Sequence, residues 1–145
     1  MTKLVLATDG SEGAGRALDY AVKLAAALDA ELLLVAVAAD MGLSPAELRE
    51  FLRTENASLA EVLDAQAQQV LERSGARARQ LGARRLRTET AIGDPAETIL
   101  GIAAREAADA IVVGKRGWGP LRGMLLGSVS QKLASLARCP VIVVP

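Results

Sequence analysis

The sequence predicts a doubly wound α/β domain: a five-stranded parallel sheet with helices on both faces. Three observations predict it. Short apolar runs alternate with longer amphipathic stretches along the chain. Two of the middle runs, ELLLVAVA and DAIVVG, are continuous rather than alternating, as strands covered on both faces must be. Several amphipathic stretches open on residues with helix-capping chemistry.

In order, KLVLAT (Lys3–Thr8) is the first strand, and Ser11 caps the helix that follows. In that helix Ala17, Ala21, Leu24, Ala25 and Leu28 fall on one face at helical spacing. ELLLVAVA (Glu31–Ala38) is the second strand. SPAE (Ser44–Glu47) carries a capping residue, a proline at the first helical position and a glutamate three after the cap, and so predicts a short extra helix to about Arg53. A long helix runs from about Glu55 to Leu81 and ends at Gly82, a left-handed terminator.

RLRTETAI (Arg85–Ile92) alternates, which places this third strand at an edge of the sheet. DPAE (Asp94–Glu97) repeats the cap-and-proline signature, DAIVVG (Asp109–Gly114) is the fourth strand, and PVIVV (Pro140–Val144) the fifth. SVSQ (Ser128–Gln131) is another capping box, with Ser128 as the N-cap of the last helix. Strand–helix alternation of this kind implies right-handed crossovers and a ligand site at the carboxyl ends of the strands. No linker, repeat or low-complexity tract interrupts the pattern, so residues 1–145 are expected to form one domain.

Composition narrows the chemistry. Seventeen Lys and Arg balance seventeen Asp and Glu, so no global field recruits nucleic acid or an anionic membrane, and any anion binding must be local. Aromatic residues are 2%, too few for a base-stacking platform. The absence of histidine removes the usual zinc sites and every His-based triad, and a single cysteine, Cys139, excludes an internal disulfide. The apolar stretch at the amino terminus is too short for a signal peptide or a membrane span, so a cytoplasmic protein is expected.

The segment VVGKRGWGPLRGMLLGSVSQKL (Val112–Leu133) holds Gly114, Gly117, Gly119, Gly123 and Gly127, five glycines in fourteen residues. It leaves a strand end and returns to a helix amino terminus, where free N–H groups and the helix dipole favour an anion and glycine permits close approach. Phosphate is the natural occupant. No Gly-Lys-Ser/Thr triplet follows, which excludes a Walker site. GWGPLRG (Gly117–Gly123) imitates a dinucleotide fingerprint, but it follows the fourth strand and carries Pro120 where that motif would start its helix.

The spacing Gly114, two residues, Gly117, nine residues, Gly127, Ser128 resembles the signature of the universal stress protein family, of the nucleotide-binding type. The carboxyl-terminal third through CPVIVVP, LVLATDGSEGAGRALDYAVKLA (Leu4–Ala25) and IGDPAETIL (Ile92–Leu100) are similar to that family as well, whereas Met41 to about Leu81 is unspecific. The resemblance implies strand order 3-2-1-4-5 and binding of ATP or another adenine nucleotide. It places Thr8 and Asp9 beside the adenosine portion and Val37 against adenine, with Gly114, Gly117, Gly127 and Ser128 holding phosphates and Val129 adding a backbone N–H. It also implies a homodimer formed by antiparallel pairing of the terminal strand, Val141–Val144. Ala36 stands where many relatives carry histidine, and Ala7 where some carry proline.

Each residue also has a plainer reading. Asp9 in Asp-Gly-Ser is good turn chemistry, and it is equally placed to hold Mg²⁺ beside a phosphate. Ser128 can cap and contact at once. Lys115, Arg116 and Arg122 are either phosphate-screening or solvated; Lys115 and Arg116 count as candidate binding residues. Asp94 is better explained as a cap. Trp118 is a lid or a partner contact, and Cys139 a small buried hydrophobe.

The expected function is that of an ATP-binding, nucleotide-dependent regulator of the stress response with an unidentified protein partner. Binding is expected rather than turnover. The alternatives are a slow Mg²⁺-dependent ATPase and an interaction module that binds no nucleotide.

Overall fold

The computed structural model describes residues 1–38, 46, 49–50, 53, 57–115, 117 and 126–145. The predicted helix from Ser44 to about Arg53 lies largely outside them, as do Arg116, Trp118 and Arg122.

Five strands form one parallel sheet: β1 (Lys3–Ala7), β2 (Glu31–Ala38), β3 (Leu86–Ile92), β4 (Ala110–Gly114) and β5 (Val141–Val144). Their order is β3-β2-β1-β4-β5, the order expected, with the alternating strand β3 at one edge and β5 at the other. Among the described residues the connections carry α1 (Glu12–Leu28), α2 (Ala57–Gln80), α3 (Pro95–Arg105) and α4 (Ser128–Leu136). Every predicted strand lies within one residue of its observed bounds.

The central strands are apolar on both sides because both sides are covered. Leu4, Leu6, Leu32, Leu34 and Val112 point into a core with α1 and α2, while Val5, Ala7, Leu33, Val35, Ile111 and Val113 pack with α3 and α4. A slip of one residue in register would exchange the two faces and offer each layer of helices the side chains shaped for the other. Each fully buried leucine contributes about 1.5–3 kcal/mol, so that slip is strongly opposed.

Large strand residues meet small helix residues on the first face. Ala17, Ala21 and Ala25 of α1 are buried as their spacing predicts, together with Ala14, Leu18 and Val22. The predicted face is displaced at its end: Leu28 is 49% exposed. The chain turns out of the helix one residue later, at Asp29 in the left-handed region (φ 51°), so Leu28 stands on the last turn of α1. The long helix stops as expected, with Gly82 at φ 93°.

Two helix starts follow the caps read from the sequence. The Ser11 hydroxyl accepts from the Ala14 amide at 3.2 Å, and the Asp94 carboxylate accepts from the Glu97 amide at 2.9 Å, with Pro95 opening α3. The third does not. Gly127, extended at φ −73° and ψ 170°, is the N-cap of α4, and among the described residues no side chain caps that helix. Ser128 is already the first helical residue, because the Gly127 amide is held by the Lys115 carbonyl at 2.8 Å and the helix begins directly after it.

At the amino ends of the strands sits an ionic cluster. Glu106 receives Arg87 at 3.0 Å, Lys3 at 3.4 Å and Arg105 at 3.3 Å; Arg87 also pairs with Glu31 at 2.8 Å. The Arg87 guanidinium foremost, aided by Lys3 and Arg105, holds the Glu106 carboxyl down to about 2 from its ordinary 4.5. This cluster lies at the opposite end of the sheet from the site described next.

Candidate functional site: a cleft at the switch point

Strand order reverses between β1 and β4, so their crossovers leave in opposite directions and a crevice opens beyond their carboxyl ends. On the β1 side, the Thr8 amide donates to the Val35 carbonyl at 2.9 Å, extending the ladder one step past the strand, and Thr8 is buried. The chain then turns through Gly10 at φ 79°. Asp9 shapes this turn: its Oδ1 accepts from the Ser11 amide at 2.9 Å, while Ser11 caps α1. The aspartate is thus both a turn former and a carboxylate fixed at the crevice rim.

On the β4 side, Gly114 meets the backbone of α1. A Cβ at this position would stand 2.9 Å from the carbonyl carbon and oxygen of Gly13. Only a hydrogen fits. Gly117 is required differently, since a Cβ there would collide with Asp9 Oδ2. Between them, the Lys115 amide donates to the Val144 carbonyl at 2.7 Å, and the Lys115 carbonyl receives both the Gly127 amide and the Ser130 hydroxyl, each at 2.8 Å.

The crevice is a cleft of about 320 Å³. Small-molecule sites begin at about 300 Å³, so it can hold a nucleoside-sized group. Val35, Val37, Ile99 and Val113 make one part of its wall apolar, and the Asp9 turn and the start of α4 make another part polar. Thr8, Asp9, Val37, Gly114, Lys115, Gly117, Gly127, Ser128 and Val129 all line it; Arg116 lies outside the described residues. Candidate residues as far as 121 positions apart in sequence, Thr8 and Val129, thus share one surface.

Ser130, Pro95 and Ile99 also line the cleft and escaped the sequence reading. Ser130 carried a weak signal as part of SVSQ, but its hydroxyl reaches across to the Lys115 carbonyl as well as back to the Gly127 carbonyl. Pro95 and Ile99 read only as a helix opening and a core position. Among the described residues no group of three His, Cys, Asp or Glu could cage a metal, so Asp9 is the carboxylate a cation would meet here. None of the described helices is long and apolar enough to cross a membrane.

A family model described as the universal stress protein family matches residues 1–145. The chain belongs to the universal stress protein family. It is 34% identical to the universal stress protein YxiE of Bacillus subtilis strain 168, across 98% of this chain and 97% of that one. Among solved structures, UspA from Lactobacillus plantarum superposes with a TM-score of 0.80 at 28% identity, covering 99% of this chain and 97% of that one. A universal stress protein crystallised in complex with cAMP superposes with a TM-score of 0.77 at 27% identity, covering 99% and 97% of the two chains. Within the family fold, the glycine-spaced segment and the Asp9 turn of this member converge on the switch-point cleft.

Proposed function

We propose that this universal stress protein binds an adenine nucleotide, ATP foremost, in the switch-point cleft and acts as a nucleotide-dependent regulator of the stress response. The observation that carries the reading is the convergence, in one cleft, of an apolar wall at Val37 and the helix start at Gly127, Ser128 and Val129, which no side chain among the described residues caps. The first suits a base and the second a phosphate. A relative of the same fold, at 27% identity, was crystallised with cAMP, an adenine nucleotide.

In this reading Val37 packs on the base, and Thr8 and Asp9 face the sugar and the first phosphate. Gly114, Gly117 and Gly127 keep the wall low, while the Ser128 and Val129 amides and the Ser128 hydroxyl receive phosphate oxygens, the Gly127 amide being held by the Lys115 carbonyl. Lys115 and Arg116 add positive charge. Asp9 also suits Mg²⁺: Oδ1 is committed to the Ser11 amide and Oδ2 lies against Gly117 at the cleft rim. One carboxylate together with phosphate oxygens and water is a common Mg²⁺ environment, and the cation would neutralise phosphate charge.

The domain is read as residues 1–145, cytoplasmic, and dimeric through β5. That strand is a sheet edge of four apolar, half-buried residues, Val141–Val144, which an antiparallel copy would cover. Nucleic acid and membrane are not among the proposed partners, because the charges balance.

Protein purified without added nucleotide is denatured and the released small molecules identified; ATP, AMP and cAMP are then titrated by calorimetry, with Gly117→Val as control. Release or titratable binding of an adenine nucleotide in the wild type, weakened in the variant, is the expected result. An empty wild-type site with no binding sinks the reading. Phosphate release that needs Mg²⁺ and is lost in Asp9→Ala would move it to a slow ATPase.

A further inference from the structure

Lys115 is a junction of three elements. Its amide donates to the Val144 carbonyl at 2.7 Å and so ties the end of β4 to β5. Its carbonyl accepts the Gly127 amide and the Ser130 hydroxyl, which closes the chain between residues 115 and 127 at its base. The same hydroxyl lies 3.1 Å from the Gly127 carbonyl, so its single proton is shared between the two backbone groups that form the mouth. Ser130 is 2% exposed, yet its residue borders the cleft.

A serine in the first turn of a helix ordinarily caps its own helix, faces water or bonds back to a carbonyl three or four positions earlier. Ser130 makes the last of these, to Gly127, but its shorter bond runs to a carbonyl fifteen positions earlier in the chain. The Gly127 amide contact and the packing of Val129 and Leu133 in the core hold α4 on the sheet. The hydroxyl supplies a second point of attachment to the same carbonyl.

We infer that Ser130 is a positioning residue for the nucleotide site: it locks the start of α4 against Lys115 and thereby sets where the Ser128 and Val129 amides point. It touches no ligand in this role. The inference rests on the nucleotide reading of the cleft, which it deepens by naming what holds the phosphate-facing amides in place. One buried hydroxyl–carbonyl bond has an effect of about five- to tenfold on an equilibrium, which sets the size expected.

The test compares wild type, Ser130→Ala and Ser130→Thr by ATP and AMP calorimetry and by amide hydrogen exchange without nucleotide. In Ser130→Ala, nucleotide affinity falls about five- to tenfold and the Gly127 amide exchanges faster, while the amides of Leu6 and Val112 in the core keep their wild-type protection. Ser130→Thr retains the hydroxyl and restores both. Unchanged Gly127 exchange, or faster exchange with wild-type affinity, overturns the inference, as does equal loss of core protection, which would mark a general packing defect. Should the methyl of Ser130→Thr prevent folding, the two readouts on Ser130→Ala decide. If the wild type binds no nucleotide, the functional reading falls by itself, and Gly127 exchange alone decides whether Ser130 holds the mouth.

Discussion

The carboxylate of Asp9 occupies the space that a side chain at residue 117 would need. A Cβ built on Gly117 collides with Oδ2 and stands 3.4 Å from Cγ. Two residues 108 positions apart are therefore coupled: the turn after β1 can keep its carboxylate at the rim only if the segment after β4 has no side chain there. Gly117→Ala should push the Asp9 carboxylate aside, lowering nucleotide affinity about tenfold or more while stability stays within about 1 kcal/mol of wild type, since the displaced group is an exposed side chain and not backbone. Calorimetric titration beside urea unfolding separates the two effects.

Gly114 makes the opposite prediction. Its neighbour is the backbone of Gly13 at 2.9 Å, which cannot swing away. Gly114→Ala should force α1 off the sheet and cost about 2–3 kcal/mol, read as a lower urea midpoint. A variant as stable as wild type would show that the helix yields without strain.

The helix starts provide a matched pair. Asp94→Ala removes a cap whose oxygen accepts from Glu97 at 2.9 Å, and should lower stability by about 1 kcal/mol. Ser128→Ala removes no cap bond, because Gly127 is the N-cap, and should change stability by less than about 0.5 kcal/mol. Its expected effect is on nucleotide affinity. Equal destabilisation by the two substitutions would restore Ser128 as a capping residue.

Acid should act first at the amino ends of the strands. Glu106 is held down to about 2 from 4.5, so the folded state binds fewer protons there than the unfolded state. Its contribution is complete above the ordinary carboxylate range and is lost as pH falls from about 4.5 toward about 2. Asp19, lowered by its hydrogen bonds to Arg77, adds in the same direction. Glu106→Gln should be less stable at pH 7 and lose stability less steeply between pH 5 and pH 2. Parallel stability curves for the two proteins would show that the cluster is energetically silent.

Hydrophobic period and turn chemistry were enough to read the strands, because a strand buried on both faces has to be apolar throughout and β3, an edge, has to alternate. The resemblance carried by the glycine spacing and the DGSEG turn was enough to gather nine of the ten candidate residues into one cleft. What could not be read locally depended on partners far along the chain. Leu28 keeps the helical period but is exposed on the last turn of α1, so spacing alone wrongly puts it in the core. Ser128 has the chemistry of a cap, and Ser130 looks like its companion; the long-range hold of Lys115 on Gly127 moves the helix start by one residue and makes Ser130 the one that bonds. The sequence by itself determined the layers, the edge strand and which segments meet at the switch point, since periodicity and glycine spacing are local properties. Only the tertiary structure decided why residues 114 and 117 are glycines, for steric exclusion at Gly114 and Gly117 is exerted by Gly13 and Asp9, residues that reach them only when α1 and β4 pack together.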